Sequence, residues 1–211
     1  HTGSNLEQGD LQALVDKESL FLRWFLFDGA GALVLTTDPA RSCGLELDCT
    51  FIESIGGSRP SLMFNHRPAY WMNPRDEYEQ GAHHLRQHFR NELATGVFQE
   101  PGGSVFFNGF KRMLARGDID PATIRWFQVN LPAKHIIESI IEECAPLGIG
   151  RETLYTRLDR LGYAGPPMPF IVLDHIVREE SPTPGGRVVS FVTEVSKFMQ
   201  AGYSVRYVDA S

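Results

Sequence analysis

The chain has 211 residues, and its 20 Lys plus Arg stand against 26 Asp plus Glu, a formal net charge of −6. Hydrophobic residues at 42% and charged residues at 22% match an ordinary globular protein, which excludes intrinsic disorder, collagen and coiled coil for the whole chain and leaves one large domain or two small ones. An acidic balance also argues against non-specific nucleic-acid binding, which needs clustered positive charge.

From Leu20 the sequence reads LFLRWFLFDGAGALVLTTD, two β-rich apolar runs interrupted by Asp28, Gly29 and Gly31. The glycines predict a bulge or a close backbone approach where side chains would collide. LVLTT is expected to continue as a strand, and LELDCTFIESI to supply another, since apolar and polar residues alternate along it. A loop from Gly56 to Pro74 carries Phe64, Tyr70, Trp71 and Met72, apolar side chains that need something to pack on. Arg75 to Thr95 has a charged helical pattern stopped by Gly96. Phe106, Phe110, Met113 and Leu114 recur at helical spacing up to Gly117, most simply as core, and DIDPAT then reads as a turn. IRWFQVN is a short strand, and Pro132 is placed to open the next helix, whose apolar face is Ile136, Ile137, Ile140, Ile141 and Cys144. RETLYTRLDRLG is expected as a helix closed by Gly162. The turn YAGPPMP precedes a third helix, FIVLDHIVREE; Gly185 and Gly186 launch the strand RVVSFVTEV, and YSVRYV is the last strand. This order predicts a layered α/β sheet, not a bundle or sandwich.

Three cysteines, Cys43, Cys49 and Cys144, cannot make a paired disulfide framework and match no zinc module, which points to a reducing, cytoplasmic compartment. No apolar run approaches the roughly 18 residues that span a bilayer, and HTGSNLEQGD lacks the features of a signal peptide, so the expectation is a soluble protein. The first residue is His, not Met, which suggests a piece of something longer. His84 and His88 stand at i and i+4 with His83 beside them, but no HExxH pattern or third ligand accompanies them, so a solvated helix face is expected and no metal. GAGALV lacks the third glycine and the helix context of a dinucleotide loop.

FLFDGAGALVL resembles the FGDGAGAVVL segment of β-ketoacyl-acyl-carrier-protein synthase III enzymes, in the thiolase superfamily. Three later segments resemble that family in the same order. DIDPATIRWFQVNLPAKHIIESI is similar to the strand and helix carrying its catalytic His, LGYAGPPMPFIVLD to the segment carrying its catalytic Asn, and GGRVVSFVTEVSKFMQAGYSVRY to its closing glycine-rich hairpin. The likeness spans about residues 20 to 208 but only the second half or so of a family member. It implies a thiolase-like layered α/β/α/β/α fold, of which this chain is the C-terminal half plus the last strands of the N-terminal half. Residues 1–55 would be the end of the first half, 56–103 an inserted lid or tunnel segment, and 104–211 the second half.

The same resemblance implies an acyl group carried as a coenzyme A or acyl-carrier-protein thioester, with no further cofactor. It also implies a nucleophilic Cys that none of the three cysteines matches, hence a partner containing the N-terminal half and a dimer of complete folds. Where the family has its catalytic His this chain has Asn130, and where it has Asn this chain has Tyr163. Those family residues stabilise an enolate and an oxyanion with aimed donors. Asn130 can still donate, and Tyr163 can through its hydroxyl, but neither replaces His as a base near neutral pH. Asn130 also fits a plain role as a turn residue before a helix. Glu194, directed into an apolar pocket, would have a raised pKa and serve as a base for an acceptor, the other reading being an ordinary ion pair at a strand end. Gly165, Ser196, Phe198 and His135 complete the expected substrate-binding set. The rival expectation is a catalytically silent ketosynthase-like subunit that shapes or stabilises an active partner.

Overall fold

The computed structural model describes residues 29–41, 44–59, 98–131, 134–194 and 198–208, apart from the side chains of Pro39 and His135. The elements are strands β1 (Leu45–Ser54), β2 (Gln99–Glu100) and β3 (Gly103–Ser104), helix α1 (Val105–Arg116), strand β4 (Ile124–Val129), helices α2 (His135–Cys144), α3 (Leu158–Leu161) and α4 (Met168–Glu179), and strands β5 (Arg187–Glu194) and β6 (Met199–Tyr207). The main sheet has the order β1-β6-β5-β4, and β2 with β3 forms a small ribbon. β4 and β5 run parallel, while β6 is antiparallel to both β5 and β1. Consequently β1, β4 and β5 all point the same way. Leu154 adds an isolated parallel bridge to Phe127 on the outer side of β4.

Helices cover both sheet faces, giving three layers among the described residues. On one face α1 brings Phe107, Phe110, Met113 and Leu114, and α2 brings Ile137, Ile140 and Cys144, against Phe51, Phe127, Val129 and Phe191. Phe110 stacks on Phe127 with ring centroids 4.4 Å apart. The stripe expected as core is core, because helix period and strand alternation present their apolar rows to each other. On the other face α4 packs Met168, Val172, Leu173 and Ile176 against Trp126, Tyr155, Val188 and Val205.

Caps explain where the helices stop. The Ser104 hydroxyl accepts from the Phe107 N–H at 3.0 Å and donates to Glu143 at the end of α2 at 2.6 Å, so one residue starts α1 and ties it to α2. Gly117 closes α1, as expected. Asp120 caps the 3-10 turn Pro121–Thr123 where DIDPAT predicts a turn. Close approach accounts for Gly202, since a Cβ there would lie 2.5 Å from both the Ser190 carbonyl oxygen and the Met113 sulfur.

Two expectations need correction. RETLYTRLDRLG is not one helix: Thr153–Tyr155 runs extended beside β4, and only Leu158–Leu161 is helical. Tyr155 turns into the α4 layer, its hydroxyl donating to Glu180 at 2.8 Å and meeting His175 Nδ1 at 2.8 Å, while Arg157 pairs with Glu180. These tertiary contacts outweigh the local helical period. LVLTT joins no strand: Leu33, Val34 and Leu35 are exposed, and no ladder reaches them among the described residues. β propensity reports packing against neighbours, and no partner strand stands there among the described residues. The charged pattern at Arg75–Thr95, His83, His84, His88 and Pro132 lie outside the described residues, as does most of the 56–103 segment.

Candidate functional site

The carboxyl ends of parallel strands are where open α/β sheets gather ligands. Here the ends of β1, β4 and β5 meet at one edge: Val129 stands opposite Phe191, and Ser54 and Glu194 both stand opposite Met199. Asn130, one residue beyond β4, and Glu194, the last residue of β5, therefore share that end of the sheet.

Trp126 and Gln128 alternate onto the α4 face of β4, since Trp126 packs with α4 while Phe127 and Val129 join the opposite core. Asn130 continues this row. Its Nδ2 donates to the Gly165 carbonyl at 3.1 Å, and its Oδ1 accepts from Gln128 Nε2 at 3.1 Å. Gln128 Oε1 in turn accepts from the Ser190 hydroxyl at 2.5 Å. Gln128 and Ser190 are cross-strand partners, and each is 1% exposed. A buried primary amide has no water to turn to, so this chain of partners is what allows Gln128 to sit in a core strand. Tyr203, opposite Ser190 on β6, donates to the Pro169 carbonyl in the first turn of α4 at 2.6 Å.

Gly165 has φ +66°, a left-handed conformation that favours glycine in the turn feeding α4. Tyr163 lies in the same turn, and burial pushes its phenol above the ordinary range, so it stays protonated and able to donate. Gly29 and Gly31 close on this turn and on the start of α4. A Cβ on Gly29 would stand 2.7 Å from the Ala164 Cβ, and one on Gly31 2.6 Å from the Phe170 Cβ. The close backbone approach read from those glycines is therefore present, and three of the four motifs meet around Asn130 and the Gly162–Pro167 turn.

The other expected residues are placed differently. Glu194 is solvent exposed at the end of β5, not directed into an apolar pocket, because the strand leaves the core after Phe191. Phe198 is fully buried among Phe98, Val105 and Ile55, with φ +52°, and its carbonyl accepts from the Ile55 N–H at 2.9 Å. Ser196 lies outside the described residues, and His135 opens α2 without a described side chain. Beside Phe198, Arg59 pairs with Glu100, and the buried Gln200 donates to the Val105 carbonyl at 3.0 Å and to Thr193 at 3.0 Å. Gln128, Ser190, Tyr203 and Arg59 were not singled out from the sequence. The signal for the first two was there, a lone Gln in IRWFQV and a lone Ser in RVVSFV.

Neither described thiol suits nucleophilic attack. Cys144 is fully buried, and burial, aided by the charge of Glu143, pushes its thiol up to about 12. Burial and Asp48 raise Cys49 as well. A thiolate needs the opposite surroundings. Cys43 lies outside the described residues. Among the described residues there is no cluster that could hold a metal ion and no helix long and apolar enough to cross a membrane.

No family model and no curated protein sequence matches this chain. Solved structures do. The chain is similar to 3-oxoacyl-(acyl carrier protein) synthase III from Pseudomonas aeruginosa PAO1 at TM-score 0.55 and 12% identity, covering 77% of this chain and 44% of that one. The corresponding enzyme from Aquifex aeolicus VF5 gives TM-score 0.56 and 11% identity, covering 82% and 46%. A tetronic acid condensing enzyme gives TM-score 0.58 and 14% identity, covering 76% and 45%. This chain spans under half the length of each. Its mixed α/β architecture is the thiolase-like fold of the synthase III condensing enzymes, present here over a partial span of such a chain.

Proposed function

We propose that this chain is part of an acyl-handling enzyme of the synthase III kind, in which an acyl group passes from coenzyme A or an acyl-carrier protein through a Cys thioester located outside this chain. The observation that carries this reading is the Asn130 amide, held by the Gly165 carbonyl at the carboxyl end of β4. An amide N–H fixed before reaction is a donor suited to the oxygen of a thioester as negative charge develops on it. Neither this amide nor the Tyr163 phenol abstracts a proton at neutral pH. The chemistry they support is acyl transfer, or condensation with an acceptor that brings or finds its own base. Glu194, exposed at the end of β5, lacks the apolar surroundings on which a base role would rest. The sulfur that attacks is assigned to a partner carrying the first half of the fold, consistent with the unsuitable surroundings of Cys49 and Cys144. Biosynthesis of specialised products fits the altered donors better than bulk fatty-acid synthesis.

The test is acyl loading of the native assembly that contains this chain. Incubation with acetyl-CoA followed by intact mass measurement should place one acetyl group on a partner Cys. Asn130→Ala should slow acyl turnover by about 10²–10³-fold, as expected for loss of one aimed donor. If no Cys in the assembly gains an acyl group, the enzyme reading falls. The chain is then a catalytically silent ketosynthase-like subunit, a reading favoured by Asn130 and Tyr163 standing where the family it resembles carries His and Asn.

A further inference from the structure

We propose that the Gly165 carbonyl sets the direction of the whole Ser190–Gln128–Asn130 hydrogen-bond chain, so that Asn130 is a committed donor site for an acceptor oxygen, and that Gln128 and Ser190 are its positioning residues. The functional part of this rests on the acyl-handling reading above; the direction of the chain does not.

A backbone carbonyl only accepts, so Asn130 must turn Nδ2 toward Gly165, 3.1 Å away. Its Oδ1 then faces Gln128, which must answer with Nε2 at 3.1 Å. That leaves Gln128 Oε1 facing Ser190, and an amide oxygen only accepts, so the single Ser190 proton goes to Gln128 at 2.5 Å. Tyr203, opposite Ser190, spends its own proton on the Pro169 carbonyl, another fixed acceptor, and cannot reverse the chain. Each link has one direction, and reversing any of them sets two acceptors face to face in a site where Gln128 and Ser190 are each 1% exposed. A lone amide can flip between donor and acceptor; this one is prevented from doing so by two buried residues on neighbouring parallel strands. Asn130 Nδ2 carries a second hydrogen besides the one given to Gly165, and that hydrogen is the one offered to a ligand. Its ligand is therefore a carbonyl or carboxylate oxygen, as in a thioester, and not an ammonium or amide N–H.

Gln128→Glu is the decisive substitution because it keeps shape and changes direction. The protonated side chain can still donate to Asn130 and accept from Ser190, whereas the carboxylate only accepts and opposes Asn130 Oδ1. Tyr203, the titratable group adjoining Ser190, is raised by burial and stays protonated throughout the range tested. In selectively ¹⁵N-Asn-labelled full chain, the Asn130 side-chain resonance of Gln128→Glu should match the parent at low pH and move away as pH rises; the parent should show no such titration. Ser190→Ala removes the source of the chain with little change in volume, and should speed exchange of the Asn130 amide hydrogens by about tenfold, the worth of one net hydrogen bond; Ser190→Thr should restore it. A Gln128→Glu resonance that ignores pH overturns the proposal. Should that variant not fold, unchanged exchange in Ser190→Ala overturns it equally. Acetyl-CoA added to the native assembly separates the two levels. A titrating Gln128→Glu with no response of the parent Asn130 to acetyl-CoA supports the fixed direction and sinks the acyl-handling reading.

Discussion

Cys144 should be alkylated by iodoacetamide about a thousandfold more slowly in the folded chain than in the unfolded chain. The magnitude follows from its surroundings. Burial, with Glu143 beside it, moves the thiol from an ordinary 9.0 up to about 12, roughly three pH units, and each unit removes tenfold of the thiolate present at neutral pH. Its side chain is 0% exposed, so the reagent also lacks a path to the sulfur. The assay is time-resolved alkylation near pH 7.5 with peptide mapping, run once in buffer and once in unfolding guanidinium, where the protection should disappear. Cys49, only partly buried, provides an internal comparison and should react well before Cys144. Labelling of folded Cys144 within about tenfold of its unfolded rate would refute the burial argument. Acetyl recovered on Cys144 after exposure to acetyl-CoA would go further and return the nucleophile to this chain.

Three other outcomes follow from packing and charge. Gly202→Ala places a Cβ against a backbone carbonyl and the Met113 sulfur. Overpacking of this kind costs about 1–3 kcal/mol, which for a chain of this size lowers Tm by about 2–12 °C in calorimetry; an unchanged Tm contradicts the geometry. Gly31→Ala drives a Cβ into the root of Phe170, which no rotamer change relieves. Limited proteolysis should then cut faster at Leu33–Leu35, and an unaltered cleavage rate removes the contact from the account. Tyr155→Phe deletes the hydroxyl bonded to Glu180 and His175 and should cost about 1–2 kcal/mol. Glu180 is held below its ordinary 4.5, first by that hydroxyl and then by Arg157. A lowered carboxyl stabilises the fold above its unfolded value and loses that contribution as pH falls through the folded value. Urea unfolding at pH 7 and pH 3 should therefore show a smaller acid-induced loss in Tyr155→Phe than in the parent, and an equal loss refutes the linkage.

Much of the site was legible because its parts have local signatures. Gly29 and Gly31 signalled a backbone approach, and Asn130 and Gly165 stood at the ends of recognisable strand and turn segments; in the folded chain these contacts are made. What escaped reading was the link between them. Gln128 and Ser190 lie 62 residues apart in the chain, and nothing within six residues of either indicates the other. Glu194 was misplaced for a related reason: composition fixes that a strand ends near it, not which way its last side chains face. RETLYTRLDRLG failed where a helical period competed with a vacant edge on β4, and the edge prevailed at Leu154.

Periodicity, caps and glycines by themselves determined the succession of β1, α1, β4, α2, α4, β5 and β6, the apolar faces of α1 and α2, and the segments that could carry chemistry, because these are set by neighbours within a few residues. Only the tertiary structure decided that Leu33–Leu35 finds no ladder among the described residues, that Cys144 is sheltered while Cys49 is only partly buried, and that the Asn130 amide points one way. Those outcomes depend on partners brought together from distant parts of the chain, and a hydrogen bond or a desolvated sulfur exists only once both sides are in place.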